Sequence, residues 1–285
     1  MDDTVPGSSP YPLVGRVIAV AETRELDVFS SLLERRGARV LRYPLVQIVD
    51  APDPQPVLRF VRSLIAAEFD DFVVLTGEGI RRLLRCVELH QPALRAPLLA
   101  ALSTVRKITR GPKPVRALRE LGLNADLPAG DPTTQGVIAT LRTLTLRDRR
   151  IGVQLYGDDP NRPLIDFLEQ AGAKVRCVMP YRYAEAASSQ AIAELLSQMS
   201  AGKVDAVAFT SKAQVERLFR AAPDAEVRLA LSSTRVAAIG PVVREALALH
   251  GVEIDAMPEA SWFMKPLTTA LSELLAERPS DQPAS

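Results

Sequence analysis

The segment VRKITRGPKPVRALRELGLNADLPA, beginning at Val105, is restated late in the chain as RVAAIGPVVREALALHGVEIDAMPE, beginning at Arg235. Each copy has a β-branched run, a Gly-Pro pair, a short amphipathic helix pattern, a glycine stop and a second apolar run. The correspondence extends further. GRVIAVAETRELDVFSSLLERRGARVLRYP is answered by RRIGVQLYGDDPNRPLIDFLEQAGAKVRCVMPY, and FDDFVVLTGEGIRRLLRCVE by VDAVAFTSKAQVERLFRAA. Gly37 answers Gly172, Asp71 answers Asp205 and Gly111 answers Gly240, in the same order and at a nearly constant offset. The chain is two copies of one module, so the fold must be one that this module can build twice.

The module alternates strands and helices. RVIAVA, DFVVLT, VRKIT, RIGVQLY, DAVAFT and RVAAI are short and apolar on both parities, as strands covered on both faces must be. Between them Leu26, Phe29, Leu32 and Leu33 recur at helical spacing, as do Ile80, Leu83, Leu84 and Val87, and Val115, Leu118 and Leu121. Gly37, Gly122, Gly172 and Gly251 stand where these helices should stop. Strand–helix–strand repetition of this kind predicts an α/β fold of mostly parallel sheets with helices on both faces. A length of 285 residues and 47% apolar content suit two such domains.

Ligands of such sheets collect at the carboxyl ends of the strands, where loops present backbone N–H groups beside helix N-termini. The loops expected there are Thr76-Gly77-Glu78-Gly79, Arg110-Gly111-Pro112-Lys113, Gly157-Asp158-Asp159, Thr210-Ser211-Lys212 and Gly240-Pro241. Their glycines and first-turn amides suit carboxylates or phosphates. None has P-loop or GxGxxG spacing, so nucleotide binding has no support.

Composition narrows the partners. A formal net charge of +1 gives no global reason to bind nucleic acid or an anionic membrane, and no apolar run approaches transmembrane length. Cys86 and Cys177 lack metal-ligand spacing and read as core residues of a protein in a reducing cytoplasm. His90 and His250 end helices, where a cation suits the dipole. Asp70-Asp71 and Asp158-Asp159 read as strand-start and turn residues, and no metal site is expected. MDDTVPGSSPYPLVG reads as a floppy leader and not a signal peptide, and ERPSDQPAS as a disordered end. A periplasmic-type two-domain binding protein is disfavoured on that ground.

VDAVAFTSKAQVERLF followed by RVAAIGPVVREALALHGVE resembles the carboxyl half of the uroporphyrinogen-III synthase family. There a Phe-Thr-Ser turn precedes an Ile/Val-Gly-Pro turn that opens a helix. AGAKVRCVMPYRYAE resembles that family's connection between domains, and the likeness runs roughly from Gly15 to Leu275. The resemblance implies two similar α/β domains joined by a two-stranded ladder, one of residues 14–42 with 185–275 and one of residues 46–180, between a leader of residues 1–13 and a tail of residues 276–285. The equivalent turns would face each other across a cleft. It implies a linear tetrapyrrole substrate, hydroxymethylbilane, whose ring is closed with inversion of the last pyrrole and loss of water. No cofactor is implied, and the protein is expected to act as a cytoplasmic monomer.

The same resemblance assigns residues. Tyr181 matches the family's connecting-strand tyrosine and would donate a hydrogen bond to the departing hydroxyl; the alternative for Tyr181 is a strand tyrosine that fills the ladder. Tyr183, two residues on, shares its face and is the residue most easily mistaken for it. Arg24, Thr76, Gly77, Arg110, Gly111, Gly157, Thr210, Ser211, Lys212, Gly240, Pro241 and Ser261 are the expected substrate contacts, although hydroxyls after a strand also serve as helix caps. Trp262 is expected to cover the cleft or the core edge. Three positions depart from the family pattern: Val243 and Pro114 replace a hydroxyl, and Glu78 puts an acid where substrate carboxylates would approach. The TGEG and RGPKP turns resemble the branch of the family found fused to DNA-binding domains in bacterial regulators, whose second domain is not expected after Leu275. The alternative is therefore a non-catalytic regulatory paralogue that binds a small anionic ligand.

Overall fold

The computed structural model describes residues 11–157 and 159–276. Residues 1–10 of the expected leader, 277–285 of the expected tail, and Asp158 of the expected Gly157-Asp158-Asp159 loop lie outside the described residues. The strands are β1 (Val17–Val20), β2 (Arg39–Arg42), β3 (Val46–Asp50), β4 (Asp71–Val74), β5 (Arg106–Thr109), β6 (Leu127–Pro128), β7 (Arg150–Gln154), β8 (Lys174–Val178), β9 (Tyr181–Glu185), β10 (Ala206–Phe209) and β11 (Arg235–Ala238). The chain divides into an outer unit, up to Gln47 and again from Ala184, and an inner unit, Ile48–Tyr183.

The outer sheet has the order β11-β10-β1-β2, all parallel, and a parallel bridge from Ala237 to Ala256 continues it past β11. The inner sheet has the order β6-β5-β4-β7-β8, again all parallel. The two orders are one order. They differ in where the chain enters: the β1–β2 module precedes its partners β10 and β11, whereas the matching β7–β8 module follows β4 and β5. Helices pack on the sheets, so the fold is α/β. Strands β3 and β9 form a separate two-stranded sheet, made antiparallel by bonds from Ala51 N–H to the Pro180 carbonyl (3.2 Å) and from Ala186 N–H to the Leu45 carbonyl (3.3 Å).

Alternation along β4 shows how two cores arise from one strand. Phe72 and Val74 join one apolar cluster with Phe60 and Phe69, while Val73 and Leu75 join another with Ile151, Val153 and Leu164. Phe60 lies 4.9 Å from Phe69 and 5.7 Å from Phe72, ring to ring, a spacing that adds to simple burial. Gly152 on β7 makes room for that ring: a Cβ there would stand 2.8 Å from Phe60 Cζ. The four glycines expected to end helices do so with positive φ, from 71° at Gly251 to 96° at Gly37.

The amino ends of the strands repeat a carboxylate clasp. Asp126 accepts from the Lys107 N–H (2.7 Å), and Asp255 accepts from the Val236 N–H (2.8 Å). Likewise Asp70 accepts from the Arg150 N–H (2.8 Å) and Asp205 from the Val17 N–H (2.7 Å). This corrects the sequence pairing by one step, since Asp205 answers Asp70 and not Asp71. Asp71 is an addition of the inner unit, fully buried between Arg106 and Arg149, each 2.5 Å away. A second correction concerns Cys177, which lies on the edge strand β8 and is exposed, not in a core; Cys86 is partly buried against one.

Candidate active site

In the inner unit β4 runs on through Leu75 to Thr76, which caps the helix Gly77–His90, its Oγ1 accepting from the Gly79 N–H at 3.0 Å. The Thr76 backbone N–H donates to Gln154 Oε1 (3.0 Å) on the neighbouring strand β7. Only the carbonyl oxygen of an amide can accept, so this bond fixes the orientation of Gln154, and its Nε2 turns to the Leu155 carbonyl. Gln154 is fully buried. It also explains the glycine at 79, where a Cβ would come within 1.9 Å of Gln154 Cδ. Gly77 is tight for another reason: a Cβ there would meet the Lys113 carbonyl oxygen at 2.6 Å.

Tyr181, on β9, points into this corner. Its hydroxyl lies 3.2 Å from Thr76 Oγ1, and its ring makes an edge-on contact with Tyr183 at 5.6 Å. It is 1% exposed. Burial pushes the phenol pKa well above its usual 10.0, with the neighbouring Tyr183 adding to the effect and Arg110 opposing it. The group is therefore a neutral donor throughout the physiological range. Tyr183 is raised too, first by burial, and packs on Gly157, whose φ of 57° and lack of Cβ admit the ring. The Arg110 guanidinium covers the Tyr156 ring at 4.5 Å. Thr76, Tyr181, Tyr183, Gly157 and Arg110 thus meet in one corner.

Glu78 is not turned toward an incoming carboxylate. Its Oε1 accepts from Arg82 Nε at 2.6 Å, one helical turn on, while Arg82 also holds Asp50 (2.7 Å) and the Ile48 carbonyl (3.2 Å). The added negative charge expected from the sequence is neutralised in place.

The outer unit repeats the turn with other parts. Ser211 caps the helix Lys212–Ala221 through a capping box with Gln214. Gln214 Oε1 accepts from the N–H groups of Thr210 (2.7 Å) and Ser211 (3.2 Å), and Gln214 Nε2 donates to Thr210 Oγ1 (2.8 Å). The Thr210 hydroxyl donates to Glu22, whose other oxygen accepts from the Arg24 N–H (2.9 Å). Lys212 pairs with Glu216 at 3.1 Å, and the Arg24 side chain is exposed near Glu25. Much of the hydroxyl chemistry expected for substrate is thus engaged within the protein.

The Gly-Pro turns match across units. Pro112 and Pro241 each stand in the first helical turn. Gly111 and Gly240 are extended, and each leaves space for a later loop: a Cβ would meet Pro132 Cβ at Gly111 and Trp262 Cδ1 at Gly240, both at 2.6 Å. Trp262 therefore covers the Gly240-Pro241 turn, beside a partly exposed Ser261. Pro114 and Val243 are buried beneath these turns, so the positions lacking a hydroxyl face the core. Among the described residues no three His, Cys, Asp or Glu side chains converge as a metal set, and no helix is long and apolar enough to cross a membrane.

The family model for uroporphyrinogen-III synthase HemD matches residues 27–265. The chain belongs to the uroporphyrinogen-III synthase family. Within and around that family, the uncharacterised protein YjjA of Bacillus subtilis is 30% identical over 252 residues, covering 87% of this chain and 92% of that one. A crystal structure of a mutant uroporphyrinogen III synthase from Thermus thermophilus superposes with a TM-score of 0.74 at 29% identity, covering 93% of this chain and all of that one. The Helicobacter pylori uroporphyrinogen-III synthetase, at 12% identity and a TM-score of 0.51, shares the fold.

The sequence reading missed Gln154, although it left a signal. After the Arg150 that opens it, Gln154 is the one strongly polar side chain of the run RIGVQLY. A buried polar residue on a central strand needs a partner, and Thr76 is that partner.

Proposed function

We propose that this family member is a uroporphyrinogen-III synthase, cyclising hydroxymethylbilane with inversion of the last pyrrole ring and loss of water. The observation that carries the proposal is the buried Tyr181–Thr76 pair, a phenol kept protonated at the turn that opens a helix. In this reading Tyr181 donates its hydrogen bond toward the departing hydroxyl, with Thr76 as the intervening or adjacent hydroxyl. Arg110, the Thr76 hydroxyl and the amides of Gly77, Gly111 and Gly157 in the inner unit meet substrate carboxylates, since the Thr76 N–H is already given to Gln154. Arg24, Thr210, Ser211, Lys212, Gly240, Pro241 and Ser261 do so in the outer unit. Because Thr210 and Lys212 are bonded internally, substrate carboxylates would have to exchange with Glu22 and Glu216 there. We place the protein in the cytoplasm, acting as a monomer without a cofactor.

The test is conversion of enzymatically generated hydroxymethylbilane into isomer III rather than the spontaneous isomer I, separated after oxidation. Tyr181→Phe keeps the ring and removes the donor, and turnover should fall roughly 10²-fold with little change in stability. Wild-type protein that gives only isomer I ends the synthase reading. The internal engagement of Thr210 by Glu22 favours one second reading in that event, a regulatory paralogue that binds a smaller anion. Full activity in both Tyr181→Phe and Tyr183→Phe would instead remove only the catalytic assignment.

A further inference from the structure

Arg82 and Arg217 occupy the same step of equivalent helices, each the sixth residue after its capping hydroxyl, Thr76 or Ser211. Both are oriented alike by their Nη2 groups, Arg82 on the Ile48 carbonyl at 3.2 Å and Arg217 on the Ala187 carbonyl at 3.1 Å. Side chains on a helix lean toward its N-terminus, so the Nε of each faces the residue one turn earlier. For Arg82 that residue is Glu78, which accepts from Nε at 2.6 Å. For Arg217 it is Ala213, and the Arg217 Nε is buried without a hydrogen-bond partner. Arg217 is only 3% exposed, while Ala213 is partly exposed.

A buried, charged N–H with no acceptor is costly, and the inner unit displays what completes it. Arg82 is flanked by two carboxylates, Glu78 and Asp50; Arg217 has one, Glu185 at 3.1 Å. The Glu78 side chain is a two-carbon arm ending in a carboxylate. From these facts we infer that the outer unit holds a carboxylate-binding site at Arg217 Nε. The site takes a ligand arm of propionate length, entering over Ala213 to the place that Glu78 fills in the inner unit. The first-turn N–H groups of the helix Lys212–Ala221 lie at the same end and favour the charge. Assigning the arm to a substrate propionate rests on the synthase reading; the site itself does not.

The test uses full-length protein with its arginines labelled in heavy nitrogen, titrated with sodium propionate and, at equal ionic strength, sodium chloride. One protected Nε–H resonance, identified by its loss in Arg217→Lys, should shift saturably with propionate and not with chloride. In Ala213→Glu the same resonance should stand displaced before any propionate is added and stay there. In Ala213→Leu, which fills the space without an acceptor, it should keep its wild-type position and ignore propionate. A wild-type resonance that propionate leaves in place, or that moves equally in Ala213→Glu, overturns the site. Should Arg217→Lys fail to fold, the two Ala213 variants identify the resonance by their opposite behaviour. Turnover separates the two claims. Ala213→Glu should raise KM for hydroxymethylbilane roughly tenfold, the scale of one charge-assisted bond, with kcat little changed. Propionate binding in a protein that makes only isomer I upholds the site and defeats the synthase reading. An unchanged KM in an active Ala213→Glu enzyme defeats the substrate assignment.

Discussion

In the inner unit the capping residue Thr76 sends its N–H to Gln154 on the adjacent strand, and the third helical residue is Gly79. In the outer unit the capping residue Ser211 sends its N–H to Gln214, itself the third helical residue, and the strand position matching Gln154 is Ala21. The same backbone donor meets the same amide oxygen from two different places in the sequence. The two solutions exclude each other, since a side chain at 79 would occupy the volume of Gln154. What the duplicated fold requires is the hydrogen bond, and either residue of a spatial pair can supply it. A lone alignment column would register two unrelated changes where there is one exchange.

The exchange can be broken directly. Gly79→Gln should cost about 3 kcal/mol in chemical denaturation, from overpacking against Gln154. Adding Gln154→Ala to it rebuilds the outer-unit arrangement and should recover most of that loss, a coupling of about 2 kcal/mol in a double-mutant cycle. Simple additivity would show that the two turns are only superficially alike. The next effect in size concerns what only one unit has. Asp71→Asn should cost about 2 kcal/mol, less than the 3–5 of a fully buried pair because Arg106 and Arg149 are each one-third exposed. Ala206, its positional match in the outer unit, shows that the fold can do without this charge. Least in size is the shared clasp. Arg150, through its side chain and its N–H, holds the Asp70 carboxyl at about 2. A folded pKa below the unfolded value of 3.8 makes this contribution complete above that pH and lost as pH falls toward about 2. Wild type and Asp70→Asn should therefore differ in urea midpoint at pH 6 and converge as the pH falls through that window. A constant difference would remove the clasp from the account of acid sensitivity.

Much of this was legible in the chain because each signal was local. The six apolar runs are strands, and their ends moved by a residue or two. The helix-stopping glycines at 37, 122, 172 and 251 adopt the left-handed backbone that their positions called for. What stayed hidden depends on partners distant in sequence. Glu78 looked like an exposed charge in a ligand loop, yet the spacing to Arg82, one helical turn, already held its partner. Thr210 and Ser211 looked available, but Glu22 lies in a loop far upstream and its bond to Thr210 leaves no local trace. Cys177 carried an apolar neighbourhood that suggested burial, whereas an edge strand has one uncovered side. The β3–β9 pair came only from the family likeness, since neither strand has an alternation strong enough to announce it.

The order of strands along the chain bears on how the protein is made. The inner unit is one continuous stretch and holds all five strands of its parallel sheet by Val178, so that sheet can close as it leaves the ribosome. The outer sheet cannot. Strand β1 lies between β2 and β10, and residue 206 must be synthesised before the β10 side of β1 has a partner. At about 5–20 residues per second, a nascent β1–β2 pair carries an open, wholly apolar edge for roughly eight to thirty-five seconds, the time needed to make the chain from Arg42 to Phe209. During that interval the growing chain contains a finished neighbour and a half-built sheet, which is the interval in which a holding chaperone would find something to grip.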